Sequence, residues 1–540
     1  MIKREMAKTF AEALKASLET RLIVVDDSDE EEEKRLMKQA EQKPWECLPY
    51  NVLVNICRFL QGKDRSRMAL VCRSWYEATK NPSLWRSYVF YLYSNNEAPR
   101  GLSWLSTRVN HLRHATIMCF GNFDRYRDKF LRALHHASLL NLDINGAAYW
   151  WSASTGRATC DTVVAKIVRL LKTQRRLMGF QMRQAMLDFK TGMGVLDAIA
   201  AASGNTLLRL GLEDFFGDDI VLNVPSMPER FAQGIMKFPN LNDLTINYEY
   251  LTDSLLQWLA QTGKKKSVQL NVVSWLTNIP VPIVSRHAWA QVATQSDVRV
   301  YLILQNIRSI REVTDAILLP EIPLHRLDIV GIAALGNDNV QDIILMLQHI
   351  GDCYGKTLSG FRLWSDNDVC EEIEESILQL LRKTPQLTYL DLHMDVQAQF
   401  LGILCTLQTK KSIHLKTLRM ARSLTDFVEF EGFRHEVRTW FPVLRELNLD
   451  FHIRAESAPN HSAWNEYVFI IADVAGIVDS AEDKFQAEDT FSDSSNNNIT
   501  NPNLRTPSGS SMFESPFRDT SLYYSGSEDN CKKCELKSKL

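Results

Sequence analysis

Apolar and polar positions alternate in two ways along the chain, with helical spacing in the first part and strand-like spacing after it. Between Leu48 and Trp85 apolar residues recur every three or four positions. This spacing predicts a helix that begins near Pro49 and a second one that carries Met68 and Trp75. A unit of about 40 residues is marginally stable by itself. Because it holds more large apolar side chains than it can bury, we expect a bound partner to cover some of them.

After this unit, the motif Leu-x-x-apolar-x-apolar recurs along the chain. Its copies begin at Leu139, Leu177, Leu207, Leu241, Leu324, Leu358, Leu387, Leu415 and Leu444. Weaker copies at Leu270 and at Val298, Tyr301 and Ile303 fill the longest gap. The alternation within each copy predicts a short strand with one buried face, and helical spacing between copies predicts a helix after each strand.

A strand and a helix in every repeat predict an α/β fold of the leucine-rich-repeat solenoid type, in which each unit buries its apolar face against its neighbours. The repeats are irregular, because the position where Asn or Cys would bond the loop backbone holds no consistent residue. A doubly wound α/β domain is the alternative, since β-α alternation alone does not separate the two folds. No glycine-rich turn follows any strand, which disfavours a nucleotide-binding domain.

Three short motifs mark the helical unit: Leu48-Pro49, Val71-Cys72-Arg73-Ser74-Trp75 and Leu84-Trp85-Arg86. Their order and spacing resemble the F-box, the module that docks substrate receptors onto Skp1 in SCF (Skp1, cullin, F-box) ubiquitin ligases. The resemblance implies that Trp75 and Trp85 hold the unit together. It also implies six residues that face Skp1 or brace that face: Leu48, Pro49, Ile56, Leu60, Leu70 and Val71.

Arg65-Ser66 departs from the F-box pattern, because many F-boxes carry apolar residues after the preceding aspartate. We expect this departure to weaken docking at one edge of the Skp1 surface. The alternative for the whole unit is an ordinary helical hairpin of a larger all-helical domain.

The repeats resemble the long, irregular repeats that follow the F-box in many substrate receptors. Three shorter segments are similar to the F-box only protein 33 and 39 subgroup, namely Asp64-Arg65-Ser66-Arg67, Trp289-Ala290 and Glu321-Ile322-Pro323. The resemblance implies a noncatalytic substrate-recognition subunit of an SCF E3 ubiquitin ligase, which presents a target for ubiquitination and proteasomal degradation. A Skp1-binding scaffold or regulatory protein without ligase function is one alternative, and an enzyme with an α/β core is another.

The residues between the buried apolar positions of each strand are predicted to line the concave face, where solenoids usually bind their partners. Trp, Tyr and Arg dominate binding hot spots, and they are concentrated in three consecutive strands. We therefore predict a target-binding cluster formed by Arg326, Arg362, Trp364, Tyr389, Asp391 and His393. The alternative is a solvated polar strand face.

The N-terminal extension carries an apolar run followed directly by acidic residues 26–33. The run Leu22, Ile23, Val24 and Val25 resembles a SUMO-interacting motif, in which a short strand adds to a sheet edge and acids pair with lysines. SUMO or a sumoylated protein is thus a predicted partner, and a tail that packs on the F-box is the alternative. These patterns divide the chain into an N-terminal extension (1–40), an F-box (44–90), a helical linker (91–137), a leucine-rich-repeat solenoid (138–478) and a disordered tail (479–540).

Composition and charge narrow the partners and the compartment. The formal net charge of -3 offers no basic field for nucleic acid. The ten cysteines are scattered and no secretory signal opens the chain, so we expect reduced thiols in the cytoplasm and/or nucleus. The longest apolar run is too short to span a bilayer. Cys531 and Cys534 lack a second ligand pair, and no catalytic motif is found, so we expect no metal, no cofactor and no enzymatic activity.

Overall fold

The fold is described from a computed structural model of the chain. It describes residues 48–60, 62–92, 98–119, 124–150, 157–217, 226–263, 266–275, 284–307, 309–332, 340–368, 371–424, 427–447, 449–457, 468–473 and 476–477. The segment Leu22–Val25, the acidic run after it and the predicted tail over 479–540 lie outside the described residues.

Three short helices form the N-terminal helical unit: α1 (Tyr50–Phe59), α2 (Gly62–Met68) and α3 (Arg73–Thr79), followed by a 3-10 turn over Pro82–Trp85. Pro49 precedes α1, where its missing N–H has no helical partner to lose. The sequence predicts one helix where α2 and α3 are separate. The amides of Leu70 and Val71 bond the carbonyls three residues back, and Cys72 is fully extended, so the helix ends and restarts.

Fifteen strands among the described residues form one sheet, and their spatial order is their chain order. Strands β1 to β13 are parallel to their neighbours, whereas β14 and β15 are antiparallel at the end. The strands are β1 (Ser87–Leu92), β2 (His114–Cys119), β3 (Asn141–Asn145), β4 (Gly179–Met182), β5 (Arg209–Gly211), β6 (Asp243–Asn247), β7 (Val268–Trp275), β8 (Val298–Ile307), β9 (Leu324–Ile332), β10 (Gly360–Asp368), β11 (Tyr389–Asp395), β12 (Thr417–Leu424), β13 (Asp450–Ser457), β14 (Val468–Asp473) and β15 (Gly476–Ile477).

Helices connect the parallel strands. They are α4 (Ala98–Arg108), α5 (Asp124–Leu134), α6 (Arg157–Thr173), α7 (Phe189–Ser203), α8 (Ser226–Ile235), α9 (Asp253–Gly263), α10 (Arg286–Gln295), α11 (Ile310–Ala316), α12 (Val340–Tyr354), α13 (Glu371–Lys383), α14 (Ala398–Thr409) and α15 (Phe427–Glu446). Crossover connections between parallel strands are right-handed. Because each strand is followed in the sheet by the next strand of the chain, all these connections place their helices on the same face of the sheet. We call the opposite face the open face.

The core lies between the sheet and its helices. In one register row, Leu142, Phe180, Leu210, Leu244 and Leu270 follow one another across five strands, and all are buried. Each repeat buries its own leucine only against the repeats beside it, which is the solenoid arrangement. The strand order never reverses, so the fold is a strand-helix repeat of the leucine-rich-repeat type and not a doubly wound domain.

The sheet begins before the predicted first repeat at Leu139. Strands β1 and β2 fall in or beside the segment 91–137, for which only helices were expected. Register aligns Tyr88 with Ala115 and Leu142, so Trp85 and Leu112 occupy the leading leucine position of the first two repeats. A tryptophan and a small alanine at key positions hide these copies from a leucine-based pattern.

Two repeats differ in register from the prediction. In β8 the alternate residues Val300, Leu302 and Leu304 face the core, so Tyr301 and Ile303 lie on the open face, because a slip of one residue exchanges the faces of a strand. The predicted strand at Leu444 is also wrong: Leu444 is buried within α15, and β13 begins at Asp450.

Candidate functional site

Large apolar side chains are exposed in the N-terminal helical unit. Six of the eleven exposed large hydrophobic residues in the described part of the chain lie within residues 50–76. They form what we call the exposed apolar set: Tyr50, Val52, Phe59, Leu70, Val71 and Tyr76. Leu70 is 86% exposed and Phe59 is 65% exposed, although most leucines and phenylalanines with described side chains are buried. Such a concentration marks a surface for another protein.

Trp85 joins the helical unit to the sheet. Its indole N–H donates to the carbonyl of Thr79 at 2.7 Å, which closes the turn after α3. Its ring meets Trp104 of α4 edge to face at a centroid distance of 6.0 Å. The guanidinium of Arg108, also in α4, lies 4.4 Å from its centroid. The unit is therefore packed directly against the first repeat.

A polar cluster occupies the open face of β10 and β11. The Nε of Arg362 donates to Oδ2 of Asp391 at 2.5 Å, and its Nη2 donates to the hydroxyl of Tyr389 at 3.2 Å. The same hydroxyl donates to Asp391 Oδ2 at 2.9 Å. Burial, and then the Asp391 charge, raise the pKa of Tyr389, so the phenol keeps its proton at neutral pH.

Arg326 of β9 extends this cluster across Gly360. It forms a two-pronged ion pair with Asp328, at 2.9 and 3.1 Å, and its guanidinium lies 4.3 Å from the Tyr389 ring centroid. Gly360 stands between Arg326 and Tyr389 in the register row, so no side chain blocks this contact. Burial alone would lower the pKa of Arg326, but the Asp328 carboxylate raises it above its ordinary value.

Two aromatic rings lie beside the paired charges. Trp364 and His393 stack with centroids 4.5 Å apart and an interplanar angle of 14°. The structure therefore brings together all six residues of the predicted target-binding cluster. Asp328, which is only 1% exposed, completes it. Asp328 follows Arg326 by two residues, so the strand period predicts it on the same concave face, although it was not part of the predicted cluster.

Other kinds of site find no support in the described residues. No group of three His, Cys, Asp or Glu side chains in this part of the chain is placed to hold a metal ion. None of the helices that the structure describes has the length and apolarity needed to cross a membrane.

Residues 45–91 match the family model described as F-box-like. The chain carries an F-box-like domain. LRR-type repeats follow it. The chain is 23% identical over 231 residues to F-box/LRR-repeat protein 21 of Ovis aries, which covers 40% of this chain and 49% of that protein. The Bos taurus protein of the same name is 24% identical over 225 residues, 39% of this chain and 48% of that protein.

The match to the Mus musculus protein of this name is short: 42% identity over 48 residues, 9% of this chain and 11% of that protein. The chain spans about half the length of the Ovis aries and Bos taurus relatives it matches.

The predicted Skp1-facing residues occupy three kinds of position in the F-box. Pro49, Leu70 and Val71 are exposed, and Leu48 and Leu60 are half-buried. Ile56 is 8% exposed and faces the helical core of the F-box. Val52 and Phe59 were absent from the prediction; they lie seven residues apart on α1, a spacing that places them on one helix face.

Arg65 of the F-box points inward. Its Nε donates to the carbonyl of Cys57 at 2.7 Å, its Nη1 to that of Leu84 at 2.6 Å and its Nη2 to that of Arg58 at 3.3 Å. These carbonyls belong to the end of α1 and to the turn before β1, where helical partners run out. Burial lowers the pKa of Arg65, yet a guanidinium stays charged at neutral pH.

Proposed function

We propose that this protein is a noncatalytic substrate-recognition subunit of an SCF E3 ubiquitin ligase. The F-box binds Skp1, which links it to a cullin-RING ligase, and the repeats hold a protein target for ubiquitination and degradation. The observation that carries the proposal is the exposed apolar set within the segment that matches the F-box-like model. The protein would contribute proximity to the reaction, because a target lysine fixed near a ubiquitin thioester reacts as if it were highly concentrated.

The exposed apolar set fits a permanent partner. A side chain such as Leu70 gains roughly 1.5–3 kcal/mol when a partner fully covers it. Leu70 and Val71 lie in the break between α2 and α3, where they project away from the F-box core. Several such residues on so short a segment supply the apolar centre that stable protein interfaces need.

The cluster on β9 to β11 is proposed as the target-binding surface. Its tyrosine, tryptophan and arginines belong to the residue types that dominate hot spots. Ion pairs with Asp328 and Asp391 hold the two arginines in place before any partner arrives. Because the side chains are already ordered, a target loses less conformational entropy in binding them.

Copurification tests the proposal. The tagged wild-type chain, expressed in cells, is expected to bring down Skp1 and a cullin, whereas Leu48→Ala with Pro49→Ala reduces both. Leu345→Ala with Ile403→Ala is the matched control, because these residues are exposed on α12 and α14, far along the repeats. Failure of the wild type to bring down Skp1 would sink the proposal, and Skp1 without cullin would indicate the scaffold or regulatory role instead.

We further propose three features that neither the described residues nor the similar proteins establish. These are membership of the F-box only protein 33 and 39 subgroup, a location in the cytoplasm and/or nucleus, and SUMO binding through Leu22–Val25. A Val24→Asp variant is expected to abolish capture on immobilised SUMO. Unchanged capture would contradict the SUMO prediction without touching the Skp1 proposal.

A further inference from the structure

A second feature of the open face lies on β2 to β5, away from the proposed target-binding cluster. One register row runs across these strands through His114, Asn141, Gly179 and Arg209. Beside this row the surface holds an open cavity of about 310 Å³. Its lining residues are His114, Leu140, Asn141, Met178, Leu208, Arg209 and Asn242. We call it the Gly179 notch.

Glycines at two other points of the open face leave gaps that neighbouring side chains fill. A Cβ at Gly211 would lie 2.9 Å from Gln181 Cγ, and one at Gly360 would lie 3.3 Å from Arg326 Cγ. At Gly179 the Asn141 side chain fills the gap, with Oδ1 at 2.5 Å and Cγ at 3.3 Å, and Arg209 Nε lies 3.5 Å away. Polar side chains therefore surround Gly179, whereas carbon atoms lie nearest to the other two glycines.

These polar ends are not used within the described part of the chain. The Arg209 side chain forms no hydrogen bond or ion pair with any residue that the structure describes, and the titratable groups beside it are His114 and Asp243. Asn141 Oδ1 is buried and has no donor among those residues. Arg209, which is exposed, is therefore the charged group of the notch that a ligand can reach.

The remaining polar groups of the notch have defined roles. Asn141 Nδ2 lies 2.6 Å from His114 Nδ1. Burial, and then the Arg209 charge, lower the pKa of His114, so its neutral ring accepts this bond. Asp243 accepts from Asn271 Nδ2 at 2.8 Å, which ties its carboxylate to the next strand. Arg209 stands between Asp243 and the notch in the row.

We propose that the Gly179 notch binds the C-terminal residue of a polypeptide. The terminal carboxylate pairs with the Arg209 guanidinium and accepts a hydrogen bond from the side-chain amide of Asn242. An apolar terminal side chain lies against Leu140, Met178 and Leu208. A chain end is favoured over an internal Asp or Glu because one residue supplies the anion and the apolar group together.

Binding of a chain end needs no Skp1, so it can be tested separately from the proposed function. The inference rests on that function only where it calls the bound polypeptide a target. The purified full chain is mixed with three immobilised pools of random octapeptides: one ending in a free leucine carboxylate, the same pool as C-terminal amides, and an amidated pool with an internal Asp. We expect the free-acid pool to retain about tenfold more protein than either amidated pool, because a charge-assisted hydrogen bond is lost.

Arg209→Gln is expected to reduce retention on the free-acid pool to the level of the amides. Arg299→Gln is the matched control, because Arg299 lies in the same register row three strands away, where its ion partner is Asp297. Gly179→Ala places a methyl group against Asn141 Oδ1 and is expected to block binding as well.

The Arg209 side chain is exposed and makes no described hydrogen bond, so its variant should melt at the wild-type temperature even if Gly179→Ala does not. Equal retention of the acid and amide pools, including none of either, would overturn the proposal. So would retention of the internal-Asp pool at the level of the free-acid pool, or normal retention of Arg209→Gln.

Discussion

Replacement of Arg65 by leucine restores the apolar type that many F-boxes carry at this point, and we expect it to destabilise this one. The guanidinium donates to the carbonyls of Cys57 and Leu84 at 2.7 and 2.6 Å, and more weakly to that of Arg58. It also lies 5.6 Å from the Trp85 ring centroid. Arg65 thus joins the end of α1 to the turn that precedes β1, and leucine cannot make any of these bonds.

The cost follows from the two short bonds. A hydrogen bond to a charged group contributes about 1.5–3 kcal/mol, and water can reach part of the freed carbonyls, so we expect a loss of about 2–4 kcal/mol. Since 1.4 kcal/mol is a factor of ten, local opening of α1 should increase by roughly 30- to 700-fold. The unfolding of the repeats should change little, because their cores do not include Arg65.

Amide hydrogen exchange followed by mass spectrometry measures this opening directly in peptides that cover α1. Arg67→Ala is the matched control in the same helix. The Arg67 side chain is 59% exposed, and its partner is Asp64 at 3.3 Å, an ion pair worth less than about 1 kcal/mol. Its exchange in α1 should stay within a few-fold of the wild type.

Two results would refute the reasoning. If Arg65→Leu and Arg67→Ala exchange alike in α1, the three carbonyl contacts do not stabilise the F-box. If Arg65→Leu keeps normal exchange but changes Skp1 affinity, the side chain belongs to the docking edge, as its position in the motif suggested.

Three further predictions concern other parts of the chain. Leu70→Ala removes about three carbons of apolar surface, about 2.4 kcal/mol, so Skp1 affinity measured by calorimetry should fall roughly 50-fold at an unchanged melting temperature. Burial raises the pKa of Glu213 above its ordinary value of 4.5, so the stability that the protonated carboxyl contributes is lost as the pH rises through the folded pKa. In urea unfolding, Glu213→Gln should therefore be more stable relative to the wild type at about pH 8 than at about pH 4. Gly192→Ala should cost about 1–3 kcal/mol by collision with Phe216, while Gly194→Ala on the same helix, with open space around it, should stabilise by about 0.5–1 kcal/mol in thermal unfolding.

The repeat pattern could be predicted from sequence because a half-buried strand needs only alternation and a leading leucine. Where the leading residue is Trp85, or where both faces of the strand are apolar as in β8, the pattern no longer shows which residues face the core. Ile303 is 7% exposed although it lies on the open face, because it stands between Val273 and Asp328, which are both buried. Burial on the wrong face depends on neighbouring strands, which a linear motif does not contain.

The candidate sites differ in how much of their geometry could be predicted from the sequence. Arg362, Tyr389 and Asp391 come together as predicted, since adjacent strands in register place alternate residues side by side. The direction of Arg65 could not be predicted, because it depends on carbonyls left open at the end of α1 and near Leu84, nineteen residues away. The Gly179 notch is invisible for a similar reason: a glycine marks a cavity only when its neighbours across the sheet are known.

Trp85 contacts both the helical part of the F-box and the first repeat, and these contacts determine how the proposed Skp1-binding and target-binding surfaces are connected. The turn Pro82–Trp85 ends the helical part of the F-box and β1 begins at Ser87, so a single residue separates them. A flexible linker would spread a bound target over a volume that grows with linker length and would lower its effective concentration at the ligase. Here the indole of Trp85 is bonded to Thr79 on one side and covered by Trp104 and Arg108 on the other. Under the proposed function, a target held on the open face would keep a fixed position relative to Skp1, which is the condition for rate enhancement by proximity.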